Sequence, residues 1–225
     1  ATRLGGNGAG FLAAIGWSNS GTIVNNCLAE QATTHPDRAY AIDAAGAFGT
    51  PLNMPANSKN LQRPFHKEVY DKNLGRSLRT LWASACAQYM DGETALAVPL
   101  WDGLSEKERA AVDARDEYKT PKGTFTVDEE LARTALSIRD IDEALTRRQY
   151  GYASVDDYYA AASSDQRLSQ IKAPLLVMNA YDDPIVPGFS LMGSIEAARQ
   201  NPQVMMAVTS HGGHLGWCDR GEGCG

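Results

Sequence analysis

Cysteine is scarce in this sequence, with 4 among 225 residues, at positions 27, 86, 218 and 224. So few, so scattered, exclude a disulfide-built scaffold. Only Cys218 and Cys224, in WCDRGEGCG, stand near enough to close a small loop, and free thiols are the expected state. A basic excess is also lacking: 21 Lys and Arg against 27 Asp and Glu leave a net charge of -6, which gives no footprint for nucleic acid. The charges are interspersed, so no charged tail stands out. No apolar run approaches the ~18 residues of a membrane helix. Repeats and low-complexity tracts are absent. The N-terminus shows no initiator Met, signal-peptide pattern or transit-peptide composition. An intracellular or organellar compartment is therefore expected over a secreted one. A start at Ala1, inside what reads as a turn, is expected of a processed or partial chain.

What is present suits a globular domain with a sizeable core: 43% hydrophobic residues, 21 Gly and 10 Pro. GNGAGFLAAIGWSNSG (6–21) carries Phe11, Leu12, Ile15 and Trp17 amid small residues and predicts a buried helix close to a sheet. RAYAIDAAGAFG (38–49) predicts a short strand from Ala39 to Ala45, and the Pro-, Asn- and Ser-rich stretch 50–66 a loop. Val69, Tyr70, Leu74, Leu78, Leu81 and Trp82 recur at helical spacing. Residues 102–122 read as surface helix and loop. Thr126, with Glu129 three residues on, predicts a capped helix, and Ser154 caps another in SVDDYYAAASS.

The last fifty residues run strand (Leu175 to Asn179), helix (GFSLMGSIEAARQNP) and strand (Val204 to Thr209). Both strands are apolar throughout, the pattern of a parallel βαβ unit buried on both faces. The fold class is α/β. Three segments are expected: core from 1 to 60, an inserted helical cap from 61 to 164, and core again from 165 to 225.

In a parallel sheet the loops after the strands converge on one crevice. Two of them hold Asp183 and His214, an acid before a late histidine, which is the order of a Ser…Asp…His relay. Ser190, in GFSLMGS, follows a loop rather than a strand and is read as starting a helix. His211, His214, Cys218 and Cys224 lack the spacing of a usual zinc site, so no metal is expected. The tryptophans and the Tyr158-Tyr159 pair read as packing.

RLGGNGAGFLAAIG, LARTALSIRDIDEALTRRQYGYASVDDYYAAASS, PLLVMNAYDDPIVP and VTSHGGHLGW together resemble the YheT-like, abhydrolase-domain esterase and lipase branch of the α/β-hydrolase superfamily. The resemblance implies the C-terminal part of an α/β-hydrolase fold: a parallel sheet, flanking helices and an inserted cap, without the N-terminal strands. It implies Asp183 as triad acid and His214 as triad base. It places Arg3 at the nucleophile's position, Ala1 at the first glycine of the elbow, and the Leu4 amide in the oxyanion hole. A guanidinium is no nucleophile. The expectation is thus a catalytically silent hydrolase fold serving as a structural or accessory subunit, with Asp183 and His214 as relics.

No cofactor is expected. Either upstream residues or a protein partner is expected to cover the open sheet edge, and the crevice to suit an acyl or lipid ligand. Two alternatives stay open: an active serine carboxylesterase or lipase, if position 3 is not truly arginine, and a module that binds an apolar ligand.

Overall fold

A computed structural model of the protein describes residues 11–33, 42–89 and 127–217. Among the described residues four parallel strands form one sheet in the order β1-β2-β3-β4. They are β1 (Ala13–Trp17), β2 (Ala44–Phe48), β3 (Leu175–Ala180) and β4 (Val204–Thr209). Residues 13–17 are thus a strand where a helix is predicted, and the helix α1 (Asn19–Thr33) starts only after it. The stretch AAIGW pairs residue for residue with AAGAF, from Ala13↔Ala44 to Trp17↔Phe48. Ladder pairing of these small residues overrides their helix-compatible spacing. The second strand likewise lies further along the chain than Ala39 to Ala45.

The expected loop over 50–66 contains α2 (Met54–Leu61). Asn53 caps it, its side chain accepting the Ala56 amide at 3.0 Å, and Pro55 occupies the first turn, where a missing N–H costs nothing. The composition that suggested a loop is the composition of a helix start.

The chain divides into two compact units, Lys67–Tyr158 and the remainder. In the 67–158 unit, α3 (Lys72–Tyr89) packs on α5 (Ile138–Ile141), with α4 (Glu129–Thr134) beside them. A Cβ on Gly75 would lie 2.6 Å from the backbone of Ser137, so only glycine lets these helices approach so closely. Asp128 caps α4, accepting the Leu131 amide at 3.1 Å; the predicted cap, Thr126, lies outside the described residues. A reciprocal capping box joins Ser137 and Asp140 at the start of α5. Buried Asp71 accepts the Ile138 amide at 2.9 Å, and burial pushes its carboxyl above the ordinary carboxylate range. Ser154 caps α6 (Val155–Ala162) through the Asp157 amide at 3.1 Å, as the sequence predicts.

In the sheet-bearing unit, α1, the 3₁₀ turn Asp165–Gln170 and α7 (Met192–Arg199) form one layer. Leu28, Ala47, Leu168, Ile171, Leu175, Val177, Leu191 and Val204 make its core. The strand order never reverses, so right-handed crossovers put the crossover helices on a single face. The expectation of strands buried on both faces is therefore corrected. On the far face Ile15, Gly46, Leu176 and Met205 lie side by side in register, and Ile15 and Met205 are 57% and 69% exposed.

Candidate active site

The carboxyl ends of the strands bring three side chains together. β1 ends at Trp17 and α1 begins at Asn19; the residue between them, Ser18, has a φ of 52°. Among the described residues the non-glycines with positive φ are Ser18 and Leu215, and both belong to this site. Left-handed backbone at a non-glycine costs energy and persists where the surroundings fix it.

The surroundings of Ser18 do fix it. Its amide donates to the Phe48 carbonyl at 2.8 Å, and its carbonyl accepts the Gly21 amide at 3.0 Å. The sharp strand-to-helix turn leaves no room for side chains at two neighbours. A Cβ on Gly16 would lie 2.5 Å from the Ser20 carbonyl oxygen, and one on Gly21 2.0 Å from Thr50 Oγ1. Ser20 Oγ spans the turn, accepting the Trp17 amide at 2.8 Å and donating to the Trp17 carbonyl at 2.6 Å.

Asp183 follows β3 and is buried. Its Oδ1 accepts the amides of Ile185 (2.7 Å) and Val186 (2.9 Å), which leaves Oδ2 aimed at His214 Nδ1, 2.8 Å away. His214 Nε2 lies 2.9 Å from Ser18 Oγ. A carboxylate only accepts, so Nδ1 carries the imidazole proton and Nε2 presents its lone pair to the serine hydroxyl. Gly49, at φ 58° after β2, sits beneath the histidine loop; its absent Cβ would stand 2.7 Å from Leu215 Cδ2 and 3.6 Å from His214 Cε1.

The loop after β4 is tied down along its length. Thr209 Oγ1 donates to the His211 carbonyl at 2.8 Å and accepts Trp217 Nε1 at 2.9 Å. The Gly216 amide reaches the Gly212 carbonyl at 2.8 Å. Trp217 leaves no space for a side chain on Gly212, where a Cβ would lie 2.3 Å from Nε1. Asp182 accepts the Gly213 amide at 2.9 Å, with His211 Nδ1 3.4 Å from its other oxygen. The Gly213 bond, with a smaller share from His211, holds the Asp182 carboxyl below the ordinary carboxylate range.

The structure thus joins Asp183 and His214, as the sequence predicts, but the hydroxyl facing them is Ser18. Arg3 and Leu4 lie outside the described residues. The expectation for Arg3 therefore concerns residues outside those described, and the hydroxyl within hydrogen-bond distance of His214 lies in GWSNSG (16–21). This hexapeptide departs from G-x-S-x-G at its last place, where Ser20 stands, and lies in the stretch expected to be a buried helix. The available signal was Gly16 two residues before a serine, at the end of the apolar run FLAAI. Ser190 donates to the Pro187 carbonyl at 2.8 Å within a 3₁₀ turn. Among the described residues no group of three or more His, Cys, Asp or Glu is arranged to hold a metal ion; Cys218 and Cys224 are outside them.

No protein-family model matches the chain. Curated relatives do. The embryogenesis-associated protein EMB8 of Picea glauca is 31% identical over 209 residues, 91% of this chain and 36% of that protein. Phospholipase ABHD3 of Mus musculus is 29% identical over 212 residues, 94% of this chain and 41% of that protein. The chain is thus a homologue of abhydrolase-domain proteins. The medium-chain fatty acid ethyl ester synthase/esterase 2 of Saccharomyces cerevisiae, 27% identical over 93% of this chain and 42% of its own length, is a further relative. The chain thus spans about two fifths of the length of these curated relatives. Among solved structures, a monoacylglycerol lipase of Paleococcus ferrophilus is similar over 90% of this chain and 59% of its own, at 18% identity and a TM-score of 0.39. Ser18, Asp183 and His214 follow one another as serine, acid and histidine, the order of the α/β-hydrolase triad.

Proposed function

We propose that this chain carries the triad of a serine ester hydrolase of the esterase and lipase class, with Ser18 as nucleophile, His214 as general base and acid, and Asp183 as the group that orients the imidazole. One observation carries the reading: a single imidazole bridges a buried carboxylate at 2.8 Å and a serine hydroxyl at 2.9 Å. Ser18 Oγ attacks the acyl carbon while His214 Nε2 takes its proton. Negative charge develops on the carbonyl oxygen. The amide of Asn19, first residue of α1, then plays the part expected of Leu4, at the positive end of the helix dipole. His214 returns the proton to the departing alcohol. Water then repeats the sequence on the acyl-serine and releases the carboxylic acid.

Relatives named as a phospholipase and as a fatty acid ethyl ester synthase/esterase support acyl esters as the substrate class. The reading as a silent accessory subunit drew its force from Arg3, and Ser18 removes that motive. An alkyl fluorophosphonate should label the protein on the peptide bearing Ser18, and Ser18→Ala should abolish the labelling. Absence of label on the folded wild-type chain overturns the proposal.

A further inference from the structure

The loop presenting His214 takes left-handed backbone on both sides of the histidine, without strain at Gly213 but with strain at Leu215. Gly213 has a φ of 52° and Leu215 one of 68°. Strained backbone of this kind relaxes unless contacts hold it. Most of the ties are internal to the segment: Gly216 to Gly212, Thr209 to His211, and Trp217 to Thr209. Among the described residues, the backbone hydrogen bond that anchors 211–217 to another loop is the Gly213 amide on Asp182 Oδ1, at 2.9 Å. Gly213 immediately precedes the histidine.

The two acids of the β3 loop therefore divide the work on the β4 loop. Asp183 holds the imidazole, and Asp182 holds the peptide from which that imidazole springs. We propose that Asp182 is a positioning residue: by accepting the Gly213 amide it fixes the backbone that points His214 Nε2 at Ser18. Its carboxylate is half-exposed and touches neither Ser18 nor the ring of His214 through any hydrogen bond described above, so it acts through the loop, by Gly213 at 2.9 Å and the longer 3.4 Å contact with His211. This inference rests on the ester-hydrolase reading. A general base displaced by a fraction of an ångström to 1 Å loses on the order of 100-fold in rate, which sets the size of effect to expect.

Asp182→Asn and Asp182→Ala in the full chain test it. Asparagine keeps a side-chain oxygen for the Gly213 amide, and alanine does not. Hydrolysis of p-nitrophenyl butyrate is normalised to the sites that a fluorophosphonate titrates, so loss of folded protein does not count as loss of rate. The expected result is a kcat per titrated site lowered about 10- to 100-fold in D182A, with KM little changed, most of the rate restored in D182N, and faster hydrogen exchange of the Gly213 amide in D182A only. A D182A rate equal to wild type, or a D182N rate as low as that of D182A, overturns the inference. If the wild-type chain takes no label and turns over no ester, the hydrolase reading falls by itself. The exchange measurement then still decides the tether: unchanged protection of Gly213 in D182A refutes it.

Discussion

Asp183 divides its two oxygens between its own loop and His214. Oδ1 satisfies two backbone amides of its own loop, and Oδ2 meets His214. Substitutions should separate these roles. Asp183→Asn retains an acceptor for Ile185 and Val186, so thermal stability changes little. Its amide, however, favours the wrong imidazole tautomer, and kcat should fall about 10³- to 10⁴-fold. Asp183→Ala strands both buried amides as well and should cost a further 1–3 kcal/mol or so of stability, readable in a urea melt. At this scale the sequence was legible where chain order and loop chemistry agree: an acid after one apolar strand and a histidine after the next. Ser18 was hidden by Ser20. The last place of an elbow usually needs glycine for space; here a hydroxyl fits and bonds both polar groups of the Trp17 backbone.

Elements in this chain are set by close approaches that sequence periodicity does not report. Gly21 is one: a methyl group there would meet buried Thr50. Gly21→Ala should push α1 off the sheet and destabilise the fold by about 1–3 kcal/mol, with a loss of esterase activity larger than the loss of folded protein, as measured by denaturant melts alongside turnover. The strands β3 and β4 were legible because uninterrupted apolar runs bounded by Asp, Pro and Gly have few other readings. β1 was not, since Ala-Ala-Ile-Gly-Trp lacks β-branched weight and becomes a strand only against its partner Ala44–Phe48. The helix α2 was missed because Asn53 and Pro55 signal a turn and a helix start equally well.

A pH effect also belongs at this scale. Burial raises the carboxyl of Asp71 above its unfolded value, so its contribution to stability is complete below the ordinary carboxylate range and is lost as pH rises through the raised value. Asp71→Asn, which keeps an acceptor for the Ile138 amide, should therefore gain stability over wild type between about pH 4 and pH 7. Urea melts at both ends show it; a constant difference across that range rejects it.

Across the whole molecule, a one-directional strand order leaves an apolar row, Ile15, Leu176 and Met205, on the face opposite the helices. Such a row, running to an edge strand, drives association. This chain should elute larger than a monomer in light-scattering chromatography, and Ile15→Lys with Met205→Lys should lower its apparent mass; an unchanged monomer in both forms rejects the expectation. Among the described residues no helix is long and apolar enough to cross a membrane.

The Ser20 hydroxyl bears on what such an encounter can reach. In β1 the even-numbered backbone groups face β2, as the Leu12 carbonyl and the Ser18 amide show, so those of Trp17 face outward, and Ser20 occupies both. Any polypeptide zipped along that border runs out of rungs at Ile15, so the turn that presents Ser18 stands outside the pairing.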